Sequence, residues 1–337
     1  MKMKTLSLLA AGSLLAAQTG AFAQMLVNGA GATFPYPIYS KWFDEYAKVD
    51  PTVRFNYQSI GSGGGQKQIL AETVDFGASD GPMSDENLAK APGKILHIPT
   101  VAGAVVVTYN LPGNPKLKLD GPTVADIFLG KITNWNDARL AKLNPDVKFS
   151  DLPIVVVHRS DGSGTTFIWT DYLSKVSPEW QNKVGKGTSV KWPVGLGAKG
   201  NEGVAGMIRQ MGGSFGYVEL IYAIQNKITF GSVRNAGGNF VKASLDSVTA
   251  AAASVKSMPA DFRVSITNVS GKEAYPISSF TWLLIPASAK DPAKGKIITD
   301  FLSWMLDAGQ SMTASLEYAP LPQAVVEKER SVIKQIH

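Results

Sequence analysis

The sequence contains no cysteine and only three histidines, His97, His158 and His337. Without cysteine there is no disulfide, no thiolate zinc site, no iron–sulfur cluster and no thiol nucleophile. The histidines are scattered, with no pair at the i, i+4 spacing of a helical metal site, so no metal centre is expected. Beyond residue 23 no apolar run approaches the roughly 20 residues that span a bilayer. Blocks of one charge sign are also missing: 33 Lys and Arg stand against 27 Asp and Glu, a formal charge of +6 spread along the chain. Nucleic-acid binding favours clustered basic residues, so nucleic acid is not an expected partner. The 33 glycines and 19 prolines stay below the roughly 25 to 30% of low-complexity chains. What remains is a 337-residue chain, 45% hydrophobic, longer than the roughly 100 to 200 residues of one domain and expected to form two lobes.

The first 23 residues read as a secretory leader. Lys2 and Lys4 give a positive start, the twelve residues Leu6–Ala17 are apolar, and Ala21-Phe22-Ala23 places small residues around a cleavage point. Cleavage after Ala23 is expected, giving an exported mature chain that starts at Gln24, with no cofactor expected.

Along the mature chain, helical patterns alternate with short β-branched runs. Ile38, Trp42, Phe43 and Tyr46 recur at helical spacing, and Val53, Phe55 and Tyr57 then alternate with period two. Gln66–Glu72, after a glycine-rich turn, consists mostly of helix formers. The apolar runs Ala104–Val107, Ile154–Val157 and Trp282–Ile285 predict buried strands covered on both faces. Trp169, Tyr172, Leu173 and Val176 mark a helix, Ser247–Ser257 another, and the tail from Pro292 is mostly helical. The alternation predicts α/β architecture.

Three segments share one design, a small-residue turn opening a helix: 29–34, 61–65 and 161–165. Free N–H groups and the positive dipole end at a helix start bind anions, and glycine admits close approach of a ligand. The hydroxyls of Thr33, Ser62, Ser163 and Thr165 add donors. Each turn alone reads first as an ordinary helix cap or tight turn, and it is the occurrence of three in one chain that points to an anion. Arg159, at the end of an apolar strand, has the fork to grip an oxyanion, with Asp161 placed to hold it, although as a bare pattern the two read first as an ordinary strand-end ion pair. Asp80 follows a short apolar strand and precedes a Gly-Pro turn. Gly195, Gly197 and Gly200 satisfy the dinucleotide glycine pattern, but Lys191 and Pro193 stand where a central strand should precede it. Ser163 lacks the G-x-S-x-G setting of a hydrolase serine, and no histidine has a motif linking it to that serine.

Taken together, the runs 29–35 (GAGATFP), 57–65 (YQSIGSGGG), 74–80 (VDFGASD), 129–135 (LGKITNW), 159–165 (RSDGSGT), 216–219 (GYVE), 275–277 (YPI) and 316–322 (LEYAPLP) resemble the periplasmic phosphate-binding proteins that serve ABC-type phosphate importers. The resemblance covers essentially the whole mature chain. It implies an α/β, type II two-lobed periplasmic binding protein whose hinge-linked lobes span 24–104 plus 278–337 and 105–277. It further implies a non-enzymatic role: capture of inorganic phosphate between the lobes and delivery to the permease subunits of an ABC transporter in the inner membrane, by a monomer free in the periplasm. Carried over by motif, the phosphate ligands are Thr33, Phe34, Ser62, Asp80, Arg159, Ser163, Gly164 and Thr165, and Asp161 orients Arg159. His158 precedes Arg159 and is expected to make the local potential depend on pH. A secreted phosphatase using the same anion cradle, or a phosphate-binding sensor or adhesin, are the alternative readings.

Overall fold

The computed structural model describes residues 24–337, so the expected leader lies outside the described residues. Helix Tyr36–Val49 forms where the apolar periodicity predicts it, with Pro37 in the first turn, where its missing N–H costs nothing. Its buried face, Ile38, Tyr39, Trp42, Phe43 and Tyr46, packs on alternate residues of the following strand, Phe43 stacking on Phe55 at 4.8 Å.

Twelve strands follow the chain: β1 (Met25–Gly31), β2 (Val53–Ser59), β3 (Phe76–Ser79), β4 (Ile95–Tyr109), β5 (Lys118–Leu119), β6 (Val155–Arg159), β7 (Leu196–Ala198), β8 (Ser214–Glu219), β9 (Thr229–Phe230), β10 (Ser232–Arg234), β11 (Phe240–Val241) and β12 (Ser278–Pro286). Nine belong to one sheet ordered β2-β1-β3-β12-β4-β8-β6-β7, with β9 also on β4, and β11-β10-β5 form a small second sheet. All fifteen residues of β4 are buried; the apolar run Ala104–Val107 predicts part of it, and the strand extends well before that run, to Ile95, taking in His97 and Thr100. This strand changes partner along its length: Ile95–Ala104 pair antiparallel with β12, and Val105–Tyr109 with β8 and β9. It thereby joins two half-sheets, each covered by its own helices. Within a continuous hydrophobic core, one aromatic group gathers Phe43, Phe55, Phe76 and Phe301, and another Phe128, Trp169, Trp180 and Tyr217. The architecture is the two-lobed α/β fold.

Two local expectations change. The helix expected from Gln66 begins at Ser62 and takes in all three glycines of Gly63-Gly64-Gly65. Helix propensity argues against that start, but tertiary packing overrides it: a Cβ on Gly65 would lie 2.6 Å from the Ala30 carbonyl oxygen and from Gly31 Cα. The helix expected to reach Ser257 ends earlier, at Ala253. The segment before Gly195 forms no strand, and the strand β7 runs through Gly197 instead.

Candidate functional site

In parallel half-sheets, ligands settle beyond the carboxyl ends of the strands. β1 pairs parallel with β2 and β3 in the first half, and β6 with β7 and β8 in the second. Thr33 and Phe34 follow the end of β1, Ser62 that of β2, Asp80 that of β3, and Asp161, Ser163, Gly164 and Thr165 follow Arg159, the last residue of β6. Chain topology thus delivers all eight expected ligands and Asp161 to one cleft between the half-sheets. All eight are buried.

Arg159 is the cation of this cleft. Its Nε and Nη2 donate to Asp161 Oδ1 and Oδ2 at 2.8 and 2.5 Å, a two-pronged grip that leaves Nη1 to the other side. There it reaches across to Thr33 Oγ1 at 3.3 Å. Its backbone N–H donates to the Tyr217 hydroxyl at 3.3 Å, which also bonds Thr166 Oγ1 at 2.6 Å, so the arginine is fixed to the second aromatic group as well. Burial alone would raise the Asp161 carboxyl, but the bonds and charge of Arg159 outweigh it and hold the group below the usual carboxylate range.

The hydroxyls and free N–H groups surround this arm. Ser163 caps helix Gly164–Val176 by accepting from the Thr166 N–H at 3.0 Å, so the ordinary capping role is real. A capping hydroxyl still has its own proton to donate. The first N–H groups of that helix, Gly164 and Thr165, have no acceptor within the helix, and those of Thr33 and Phe34 make no bond to the chain among the described residues. Ser62 Oγ accepts from the Asp80 N–H at 3.2 Å and lies 3.4 Å from Asp80 Oδ2.

Asp80 is the lone acceptor among these donors. Its Oδ1 accepts from the Thr281 hydroxyl at 2.8 Å. Burial pushes its pKa up to about 7, against the lowering pull of the Thr281 hydroxyl and of Arg159. His158 lies beside the arginine: its ring stacks on Trp192 at 4.7 Å, its Nδ1 is 3.0 Å from the Arg159 carbonyl oxygen, and burial lowers its pKa below the usual imidazole range.

Residues that sequence reasoning passed over close the cleft. Asn201 Nδ2 bonds Thr33 Oγ1 at 2.7 Å and Thr165 Oγ1 at 3.0 Å, and its Oδ1 accepts from the Glu219 N–H at 3.0 Å. It sits just after Gly200, whose φ of +73° forms the turn that opens helix Gly200–Gln210. The glycines of the dinucleotide pattern therefore build a fourth turn of the same design, and that was the available signal. Three tyrosines grip the backbone of the first turn: Tyr57, Tyr222 and Tyr318 donate to the carbonyls of Ala32, Thr33 and Phe34 at 2.7, 2.6 and 2.6 Å. Nothing in their spacing marks them. The Gly63 N–H bonds the Gly162 carbonyl across the cleft at 2.8 Å, so the two sides meet.

Gly164 stands where they meet most tightly. A Cβ there would lie 2.4 Å from both Asp80 Oδ2 and Ser62 Oγ. Gly164→Ala is expected to hold the cleft ajar and to weaken anion binding by about 1 to 3 kcal/mol, the usual cost of overpacking, with little change in melting temperature of the ligand-free protein. Titration calorimetry beside a thermal melt checks both.

Comparison with known proteins agrees with this geometry. A PBP superfamily domain matches residues 16–308. The phosphate-binding protein PstS of Pasteurella multocida is 48% identical over 305 residues, 90% of this chain and 88% of the relative. That of Haemophilus influenzae is 46% identical over 334 residues, 98% of each. Among solved structures, a high-affinity periplasmic phosphate-binding protein bound with phosphate (PfluDING) superposes with a TM-score of 0.73 at 22% identity, covering 91% of this chain and 93% of its own. A phosphate-binding protein from Stenotrophomonas maltophilia gives 0.65 at 20% identity, over 91% and 93%. At such identity the structures speak to the fold, which is that of type II periplasmic binding proteins. The sequence relatives go further, and on them the chain belongs to the PstS family of phosphate-binding proteins.

Proposed function

We propose that this protein captures inorganic phosphate in the interlobe cleft and delivers it to the membrane permease of an ABC importer, without chemical turnover. The observation that carries the reading is the ligand set itself: one forked arginine, four hydroxyls and the N–H groups of two chain turns converge on a single buried carboxylate. Neutral dipoles replace the water shell of an oxyanion, Arg159 supplies charge, and Asp80 accepts the proton that phosphate keeps near neutral pH. The first lobe is read as 24–104 plus 278–337 and the second as 105–277, a division supported by the change of partner along β4 at Ala104 and Val105. Anion binding favours closure because only the closed form offers ligands from both sides.

A phosphatase using the same cradle needs a nucleophile with a base or a metal to activate it. Ser163 Oγ accepts from a backbone N–H, and among the described hydrogen bonds no histidine or carboxylate approaches it. The purified protein is expected to retain labelled phosphate through gel filtration and to release nothing from a chromogenic phosphate ester. Ester hydrolysis that survives repurification and is lost in Ser163→Ala would establish the enzyme reading instead. We read the mature protein as a periplasmic monomer, exported by a leader cleaved after Ala23. Intact mass of the periplasmic protein should correspond to a chain starting at Gln24, and a mass that includes Met1 would refute the cleavage.

A further inference from the structure

The helix that presents Gly164 and Thr165 carries a second buried acid, two turns further on, that the cleft does not use. Asp171 is 2% exposed. Its Oδ1 accepts from Lys186 Nζ at 2.8 Å, and its Oδ2 from the hydroxyls of Ser265 and Thr267 at 2.6 and 2.5 Å. Lys175 Nζ joins the cluster, 3.1 Å from Asp171 Oδ2 and 2.7 Å from both hydroxyls. Asp171 thereby ties the cradle helix to the loop before β12.

The same loop is tied, two residues earlier, to the opposite side of the cleft. Arg263 Nη1 donates to the Met83 carbonyl at 3.0 Å and to Asp85 Oδ1 at 2.7 Å. Its Nε is braced by Asp261 Oδ2 at 2.8 Å. Just upstream, the Phe262 carbonyl accepts from Trp282 Nε1 at 3.0 Å, and Lys328 Nζ donates to the carbonyls of Met258 and Pro259 at 2.5 and 2.9 Å. Residues 258–263 thus lie on the half-sheet that holds Asp80, and residues 265–267 on the helix that holds Gly164. Phe262 and Asn268 bracket the crossing with φ of +59° and +53°, a left-handed conformation that costs a side-chain-bearing residue energy and persists where the surroundings enforce it.

We propose that Asp171 and Arg263 are positioning residues for anion capture. The segment 258–267 is a strap, clamped at one end to the loop that follows Asp80 and at the other to the helix that offers Gly164 and Thr165. The inference rests on the phosphate reading above and adds what holds the two sides of that site at their working distance. The physical reason is length. Arg263 and Ser265 are two residues apart and reach at most about 7 Å, so any motion that separates Met83 from Asp171 by more than the slack must release one clamp. Both clamps are made together only when the cleft is closed. They add to the barrier for reopening without touching the anion.

The test is stopped-flow measurement of phosphate association and dissociation with the wild type, Arg263→Gln, Arg263→Lys and Asp171→Asn, each beside a thermal melt. Arg263→Gln is expected to raise the dissociation rate about tenfold, which is roughly 1.4 kcal/mol, with association changed less than about twofold. Arg263→Lys keeps the charge and one donor to Met83 or Asp85, and should recover part of the loss. Asp171→Asn should act in the same direction from the other clamp. If that variant does not fold, Arg263→Gln decides, since its side chain is partly exposed and its loss leaves no buried charge alone. A merely structural role would lower the melting temperature and leave the dissociation rate alone, and that result overturns the strap. Failure of the wild type to bind phosphate would instead overturn the phosphate reading, and the strap's role in capture with it.

Discussion

Asp80→Asn is expected to collapse the preference for phosphate over sulfate by at least about a hundredfold, from a starting ratio of roughly 10⁴ to 10⁵ for sites that leave buried groups unpaired with the wrong ligand. Asp80 is 1% exposed, and one of its oxygens is already bonded to Thr281. Above the pKa of about 7 that burial gives Asp80, the carboxyl is ionised, and sulfate, which has no proton, would face its other oxygen lone pair to lone pair. Phosphate donates there while accepting from Arg159 and the hydroxyls. Asparagine removes the charge and offers an N–H, so sulfate gains. Arsenate keeps a proton as phosphate does and should follow phosphate in both proteins. The raised pKa of Asp80, about 7 from burial, adds a dependence on pH. A carboxyl whose folded pKa is raised favours the folded state fully below its unfolded value near 3.9, and that contribution is lost as pH rises toward about 7. Ligand-free wild type should therefore lose stability across this window, and Asp80→Asn should lose less. An unchanged phosphate-to-sulfate ratio, measured by calorimetry at one pH and salt, would show that Asp80 is not the discriminator.

Arg159→Ala should weaken phosphate binding by about 1.5 to 3 kcal/mol, the range for a hydrogen bond to a charged group. Two effects add. The anion loses its cation, and Asp161, whose side chain is 13% exposed, remains beside the cleft without its partner. Arg159→Ala combined with Asp161→Ala should therefore bind better than Arg159→Ala alone. Arg159→Lys returns a charge but cannot bond both Asp161 oxygens and reach Thr33 at once, so it should recover only part of the affinity. Calorimetry on the wild type and these three variants measures the differences, and equal affinity of Arg159→Ala and the wild type would place the site elsewhere.

The parts of the cleft legible in the sequence were those with local chemistry. A small-residue turn before a helix announces free N–H groups wherever it falls in the fold, and Arg159 with Asp161 two residues on is a pair that the end of a strand brings together. Asn201 was harder. Its turn was visible as Gly195, Gly197 and Gly200, but those glycines matched a nucleotide pattern that Lys191 and Pro193 argue against, and their place beside the cleft shows only once β7 pairs with β6. Thr281, Tyr222 and Tyr318 lie 201, 189 and 284 residues from the groups they bond, and no spacing rule reaches across such separations. The start of helix Ser62–Leu70 failed for the opposite reason, since three glycines are poor helix formers and the crowding of Gly63 against Gly162, of Gly64 against Ile60 and of Gly65 against β1 explains them there.

The most direct test of capture between the lobes is a crystal structure of the mature protein grown in saturating phosphate. One tetrahedral anion is expected between the half-sheets, within hydrogen-bond distance of Arg159 Nη1, the hydroxyls of Ser62 and Ser163 and the N–H groups of Phe34, Gly164 and Thr165, with one oxygen close to Asp80 Oδ2 as only a shared proton allows. Phosphate bound elsewhere on the molecule, or a cleft without an anion at saturation, would contradict it.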